Sequence, residues 1–153
     1  IVNGTFSNVL NVAAALSQTS LEQMLIQIRN AVDNNGKRIR LTPTQIVTGP
    51  SNVFQAETLL KSVLRSGTAD NDINAIKSMG LLADGQANLS RITSTTAWWV
   101  QTDAPEGLKL LMRRGLEKSM EGDFATDSMR YKATERYTVG WTDPRGVFGT
   151  AGV

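Results

Sequence analysis

Histidine and cysteine are both missing from these 153 residues. Their absence removes disulfides, thiolate nucleophiles, the usual zinc sites and the imidazole acid–base pair, which are the commonest tools of enzyme chemistry. A chain without cysteine also says nothing about redox compartment. No apolar run approaches the roughly 18 residues needed to span a bilayer, and no charged-then-apolar signal stands at the start. Excess charge of one sign is lacking too. Sixteen Lys and Arg face fourteen Asp and Glu, a formal net charge of +2. Residues 104–145 hold eight basic and seven acidic side chains. The calculated pI of 9.2 therefore reflects the lack of histidine buffering, and no basic block marks a nucleic-acid arm.

What is present is alternation. From Tyr131 to Trp141 the odd positions read Tyr, Ala, Glu, Tyr, Val, Trp and the even ones Lys, Thr, Arg, Thr, Gly. Two faces separate at period two, with Glu135 the one charge on the apolar side. The run stops at Asp143-Pro144-Arg145-Gly146, a strong turn signal. A strand this long is expected in an extended sheet, with its aromatics entering a core or an interface.

The rest of the chain predicts an α+β arrangement with an antiparallel or mixed sheet, helices in the first half and strands in the second. Thr19 and Glu22 fit a capping box. Leu21, Met24, Leu25, Ile28 and Val32 recur at helical spacing, predicting a helix over 20–33 that ends at Asn34-Asn35-Gly36. Residues 44–48 read as a buried strand between Pro43 and Gly49-Pro50. Ser51 is expected to cap a second helix with Val53, Ala56, Leu59, Leu60, Val63 and Leu64 inward and Gly67 at its close. A polar loop over 66–74 and strands over 79–83, 88–93, 95–102 and 109–114 follow, then a polar excursion over 117–127. Trp98 and Trp99 lie on opposite faces of their strand, so one belongs to the core and the other is free to meet a neighbour.

Several motifs fail on inspection. Ile1-Val2-Asn3-Gly4 imitates the new N-terminus of a chymotrypsin-like protease, but no histidine base exists. Asp70-Asn71-Asp72-Ile73-Asn74 imitates an EF-hand loop, with Ala75 where the turn needs glycine and Leu81 where a closing glutamate belongs. Gly36-Lys37 lacks the first glycine and the hydroxyl of a P-loop, and no Ser-x-x-Lys pair occurs. Glu117 and Glu121, four apart, have nothing apolar beside them to set two carboxylates to different work. Asn3-Gly4-Thr5 and Asn88-Leu89-Ser90 are glycosylation sequons on paper only. No catalytic, cofactor-binding or metal-ligating residues are assigned. An alternative reading uses Lys132 and Arg136, on the basic face of the 130–138 strand, in a small nucleic-acid-binding module. Alternation places the aromatics on the other face, against such a stacking platform.

Four stretches taken in order carry a family resemblance: 41–60, 67–74, Thr96-Ala97-Trp98-Trp99-Val100-Gln101-Thr102-Asp103, and the 127–149 ending with its Trp-Thr-Asp-Pro-Arg-Gly turn. Together they resemble the C-terminal portion of a tailed-bacteriophage major capsid protein with the Hong Kong phage capsid fold. The resemblance implies an axial domain, a central sheet with flanking helices, over 19–103. It implies mainly peripheral-domain strands and the C-terminus over 104–153, with 1–18 connecting to a missing N-terminal half. It lacks counterparts for the N-terminal arm, the extended hairpin loop and most of the long peripheral helix, and the first residue is not methionine, so a longer parent protein is expected. The implied function is that of a non-enzymatic subunit self-assembling into an icosahedral shell around packaged double-stranded DNA, in the virion after assembly in the host cytoplasm. Implied partners are copies of itself in hexamers and pentamers, the remaining N-terminal part, portal, scaffold and decoration proteins, and DNA without sequence specificity, with no membrane. Trp98, Trp99, Arg113, Arg114, Glu135 and Arg145 are the residues expected at intersubunit contacts, the arginines because their forks suit carboxylates.

Overall fold

A computed structural model of the chain describes residues 2–3, 6–64 and 72–152. After a short pair of strands, β1 (Val2–Asn3) and β2 (Phe6–Ser7), the chain forms helix α1 (Gln18–Arg29), strand β3 (Pro43–Thr48), helices α2 (Val53–Lys61) and α3 (Ala75–Ser78), and strands β4 (Gln86–Asn88) and β5 (Trp98–Thr102). Two long strands follow, β6 (Leu108–Asp123) and β7 (Ser128–Trp141), and then β8 (Val147–Thr150).

The body is built on a four-stranded mixed sheet in the order β4-β3-β5-β8, in which β3 runs parallel to β4 and β5 is antiparallel to both β3 and β8. The apolar residues of β3 and β5 face α1 and the segment before it. Ile46, Trp98, Val100 and Phe148 form one core with Leu10, Leu16, Leu21, Met24, Leu25 and Ile28. Burying side chains of this size contributes about 1.5–3 kcal/mol each. Trp98 also donates its indole N–H to the Ala14 carbonyl at 3.1 Å, so its one polar atom enters the core satisfied.

Helix α1 begins two residues earlier than expected. Ser17, not Thr19, is the N-cap, and Ser20 closes the capping box in place of a glutamate. Glu22 instead accepts from the Gln18 side chain at 3.0 Å. The helix ends at Asn30, well before Gly36, because Val32 pairs with Arg38 across a tight turn. There the Asp33 carboxylate accepts from the Asn35 and Lys37 backbone N–H groups, each at 2.8 Å, bonds that draw those residues out of a helix.

Strand β3 and helix α2 stand where expected, but Ser51 lies within a short turn and caps nothing, and α2 stops at Lys61. Val63 and Leu64 are exposed beyond it. Gly67 and most of the 66–74 loop fall outside the described residues. The strand expected over 79–83 is instead the C-cap of α3, Met79, followed by turns. Gly80, Leu82 and Gly85 all adopt positive φ, a sequence of left-handed residues no strand accommodates. Leu82 tolerates its φ of 60° because its side chain is anchored in the core, 4% exposed. The strand expected over 88–93 ends at Asn88.

The largest departure lies between β5 and β8. The 109–114 strand and the 117–127 excursion are one strand of 16 residues, β6, antiparallel to the 14 residues of β7. The length difference is taken up by two bulges. Met112 and Arg114 pair with consecutive partners Tyr137 and Arg136, leaving Arg113 extra, while Gly115 and Leu116 together oppose Glu135. Bulges break the period-two pattern in one strand only, which is why β7 was legible and β6 was not.

A candidate assembly surface on an unsupported hairpin

Pairing fixes the two faces of the β6–β7 hairpin. Leu108 lies opposite Trp141, Leu110 opposite Val139, Met112 opposite Tyr137, Met120 opposite Tyr131 and Gly122 opposite Met129, all on one face. The other face pairs Glu121 with Arg130, Ser119 with Lys132, Glu117 with Thr134 and Arg114 with Arg136.

The extended sheet expected around β7 is not formed among the described residues, where the hairpin has two strands and no third. No residue from 108 to 141 joins the core. Tyr131, Val139 and Trp141 are 75%, 72% and 63% exposed. With Leu108, Leu110, Met112, Met120, Met129 and Tyr137, also exposed, they form two apolar stretches on this face, one at the root and one toward the tip, separated by Lys118, Ala133 and Glu135. Exposed apolar stretches of this kind mark interaction surfaces. The chain's total accessible surface of 10507 Å² compares with about 7,600 Å² for a compact monomer of this mass. A two-stranded hairpin is marginal in water on its own; its faces need a partner.

The root of the hairpin is built firmly. The Glu106 carbonyl accepts from the Thr142 and Asp143 N–H groups at 3.2 and 2.7 Å, and Thr102 donates its hydroxyl to the Arg145 carbonyl at 2.6 Å. Asp143 accepts from the Arg145 N–H at 2.9 Å, the turn foreseen from Asp-Pro-Arg-Gly. From there the chain leaves the hairpin, and β8 re-enters the body's sheet beside β5.

The six expected contact residues divide into two groups. Arg113, Arg114 and Glu135 come together at the bulges, all exposed. Arg114 approaches Glu117 only at 3.9 Å. Glu135 has no ion pair among the described residues. Trp98, Trp99 and Arg145 belong to the body. Trp98 is wholly buried and offers no surface. Trp99 is half-buried, its ring laid across Gly149. Arg145, expected in an intersubunit pair, is committed within its own chain. Its guanidinium donates to the Val32 carbonyl at 3.1 Å and the Asn34 side-chain oxygen at 3.0 Å and pairs with Asp143 at 3.2 Å. The aromatics of β7 were expected in a core or an interface, whereas the leucine and methionine residues of β6 on the same face were not among the expected contacts. The alternation of β7 carried that signal, but only the missing third strand shows that the face is open.

Among the described residues, no three of His, Cys, Asp and Glu come together to hold a metal, and no helix is long and apolar enough to cross a membrane. The sequence profile of the family described as "Phage capsid protein" matches residues 2–149. The chain belongs to that family. Membership gives the capsid chain a structural role, to which a projecting, uncovered hairpin is suited. No curated protein matches it. Among solved structures it is similar to a virus-like particle from Pyrococcus furiosus, at 11% identity and a TM-score of 0.49 over 90% of this chain and 54% of the other. The capsid chain thus spans about half the length of that neighbour's.

Proposed function

We propose that the chain is part of a major capsid subunit that self-assembles through its hairpin into an icosahedral shell around packaged DNA. In this reading the mixed sheet and its helices form the axial domain, grouped around the symmetry axes of hexamers and pentamers. The hairpin is the peripheral contact laid on a neighbour. The observation that carries it is the open apolar face of Leu110, Met112, Tyr131, Tyr137, Val139 and Trp141, left uncovered by the described residues and suited to burial against a neighbour. Arg113, Arg114 and Glu135 then serve as polar contacts at the bulges, with Glu135, on the apolar face, meeting a cation. Trp99 is the tryptophan available to a neighbour. The polar face does not favour the nucleic-acid reading, because Glu117, Glu121 and Asp123 stand among its cations and Arg130 is already paired with Asp123 at 2.7 Å.

The test is electron microscopy and sedimentation of the full-length capsid protein, alone and with Val139→Lys and Tyr137→Lys together. Shells, sheets or capsomers are expected from the unaltered protein and monomers from the double variant. A strictly monomeric unaltered protein across a range of salt removes the proposal.

A further inference from the structure

Two features of this chain fit each other but cannot meet within one copy. The first is the hairpin tip. Phe124 opens the turn between β6 and β7 and is fully exposed, at 105%. The turn is held by its own bonds: the Asp123 carboxylate accepts from the Ala125 N–H at 3.1 Å, and the Thr126 and Ser128 hydroxyls lie 2.7 Å apart. A fixed turn thus presents a bare phenyl ring to water. Around it stand Glu121, Asp123 and Asp127, of which Asp123 is paired with Arg130 at 2.7 Å while Glu121 and Asp127 form no ion pair among the described residues.

The second feature is a groove of about 630 Å³ beside α1, with Leu10, Val12, Ile26 and Phe148 on its apolar side and polar side chains such as Asn11 and Gln27 on the other. Val12 and Ile26 are 73% and 60% exposed. Next to it, residues 29–40 carry Arg29, Lys37, Arg38 and Arg40 against Asp33 alone. All four cations are exposed and none forms an ion pair among the described residues. An apolar knob flanked by Glu121 and Asp127 and a partly apolar groove flanked by Arg29 and Arg38, next to its lining residues Asn30 and Val32, are complementary.

The groove lies at the hairpin's own root, since Arg145 bonds the Val32 carbonyl and Phe148 belongs to β8. The tip stands about 45 Å away, at roughly 3.3 Å per residue along the 14 residues of β7. The tip therefore cannot fill its own groove. We infer that the hairpin tip of one copy docks in the root groove of the next, Phe124 entering between Val12 and Ile26 while Glu121 and Asp127 meet the cations of 29–40. The contact is heterologous, tip to root, so it repeats around a ring or along a sheet. It rests on the assembly reading above and adds which surfaces meet.

The chain's lack of cysteine supplies a clean test. Ala125→Cys and Val12→Cys are introduced into separate copies of the full-length capsid protein, with any cysteine outside these residues replaced by serine, and the two are mixed and oxidised under assembly conditions. A disulfide-linked dimer is expected only from the mixture, at least tenfold above either variant alone. Phe124→Ser should lower its yield at least fivefold. Arg38→Glu should lower it as well, and Asp127→Lys should restore it. Particles that form without the 125–12 disulfide, or a yield indifferent to Phe124→Ser, overturn the tip-to-root contact and leave assembly standing. A protein that forms no assembly under any condition overturns both.

Discussion

Gly107 and Gly146 cross at the root of the hairpin so closely that a Cβ on Gly146 would lie 2.5 Å from the Gly107 Cα. The two strands of backbone that enter and leave the hairpin touch there, main chain to main chain. The direction in which the hairpin projects is thereby tied to the sheet, because Thr102 on one side and Val147 on the other are paired strand residues.

Gly146→Ala should therefore force the root apart. Neither neighbour is a flexible side-chain end, so the cost is that of overpacking, about 1–3 kcal/mol. Urea unfolding followed by tryptophan fluorescence measures it. A variant as stable as the original would mean the crossing is looser than described.

Arg145 joins the root to the 32–38 turn through the Val32 carbonyl and the Asn34 side chain. Arg145→Lys keeps the charge but not the fork, and should lose about 1–3 kcal/mol of stability. The check is a lower urea midpoint with an unchanged slope.

Gly149 lies under the Trp99 ring, with Cδ1 2.1 Å from where a Cβ would stand. Gly149→Ala should lift that ring off β8, shifting tryptophan emission to the red and altering the near-ultraviolet circular dichroism. The buried Trp98 and the exposed Trp141 should keep their signals, so Trp98→Phe and Trp141→Phe together in the same background isolate the Trp99 contribution.

Leu110 and Val139 face each other on the open side of the hairpin, 60% and 72% exposed. Changing either to Lys should alter the stability of the unassembled chain by no more than about 0.5 kcal/mol. Assembly, measured by sedimentation at matched concentration, should fall sharply. A large loss of stability in the isolated chain would show that this face is already covered internally.

Particular elements show how far pattern reading reaches. The β7 alternation, the buried β3 between two prolines and the apolar spacing of α1 were legible because each obeys one period without interruption. Strand β6 was not, since Arg113 and the Gly115–Leu116 pair insert extra residues that only the partner strand reveals as bulges. The 79–83 segment misled for a related reason: its apolar residues pack from consecutive turns, which have no period. Arg145 was picked out by its turn, but its partners Val32 and Asn34 lie over 110 residues away, a separation no local pattern spans.

By itself the sequence determined the chemistry this chain lacks, the alternating faces of β7, the stop at Asp143 to Gly146 and the likeness to capsid proteins. Those depend on residue type and local spacing. Tertiary structure alone decided that Trp98 belongs to the core, that Arg145 is spent within the body, and that the aromatic face of β7 meets no third strand among the described residues. Burial is a property of what lies across from a side chain, and among the described residues nothing lies across from Tyr137, Val139 and Trp141.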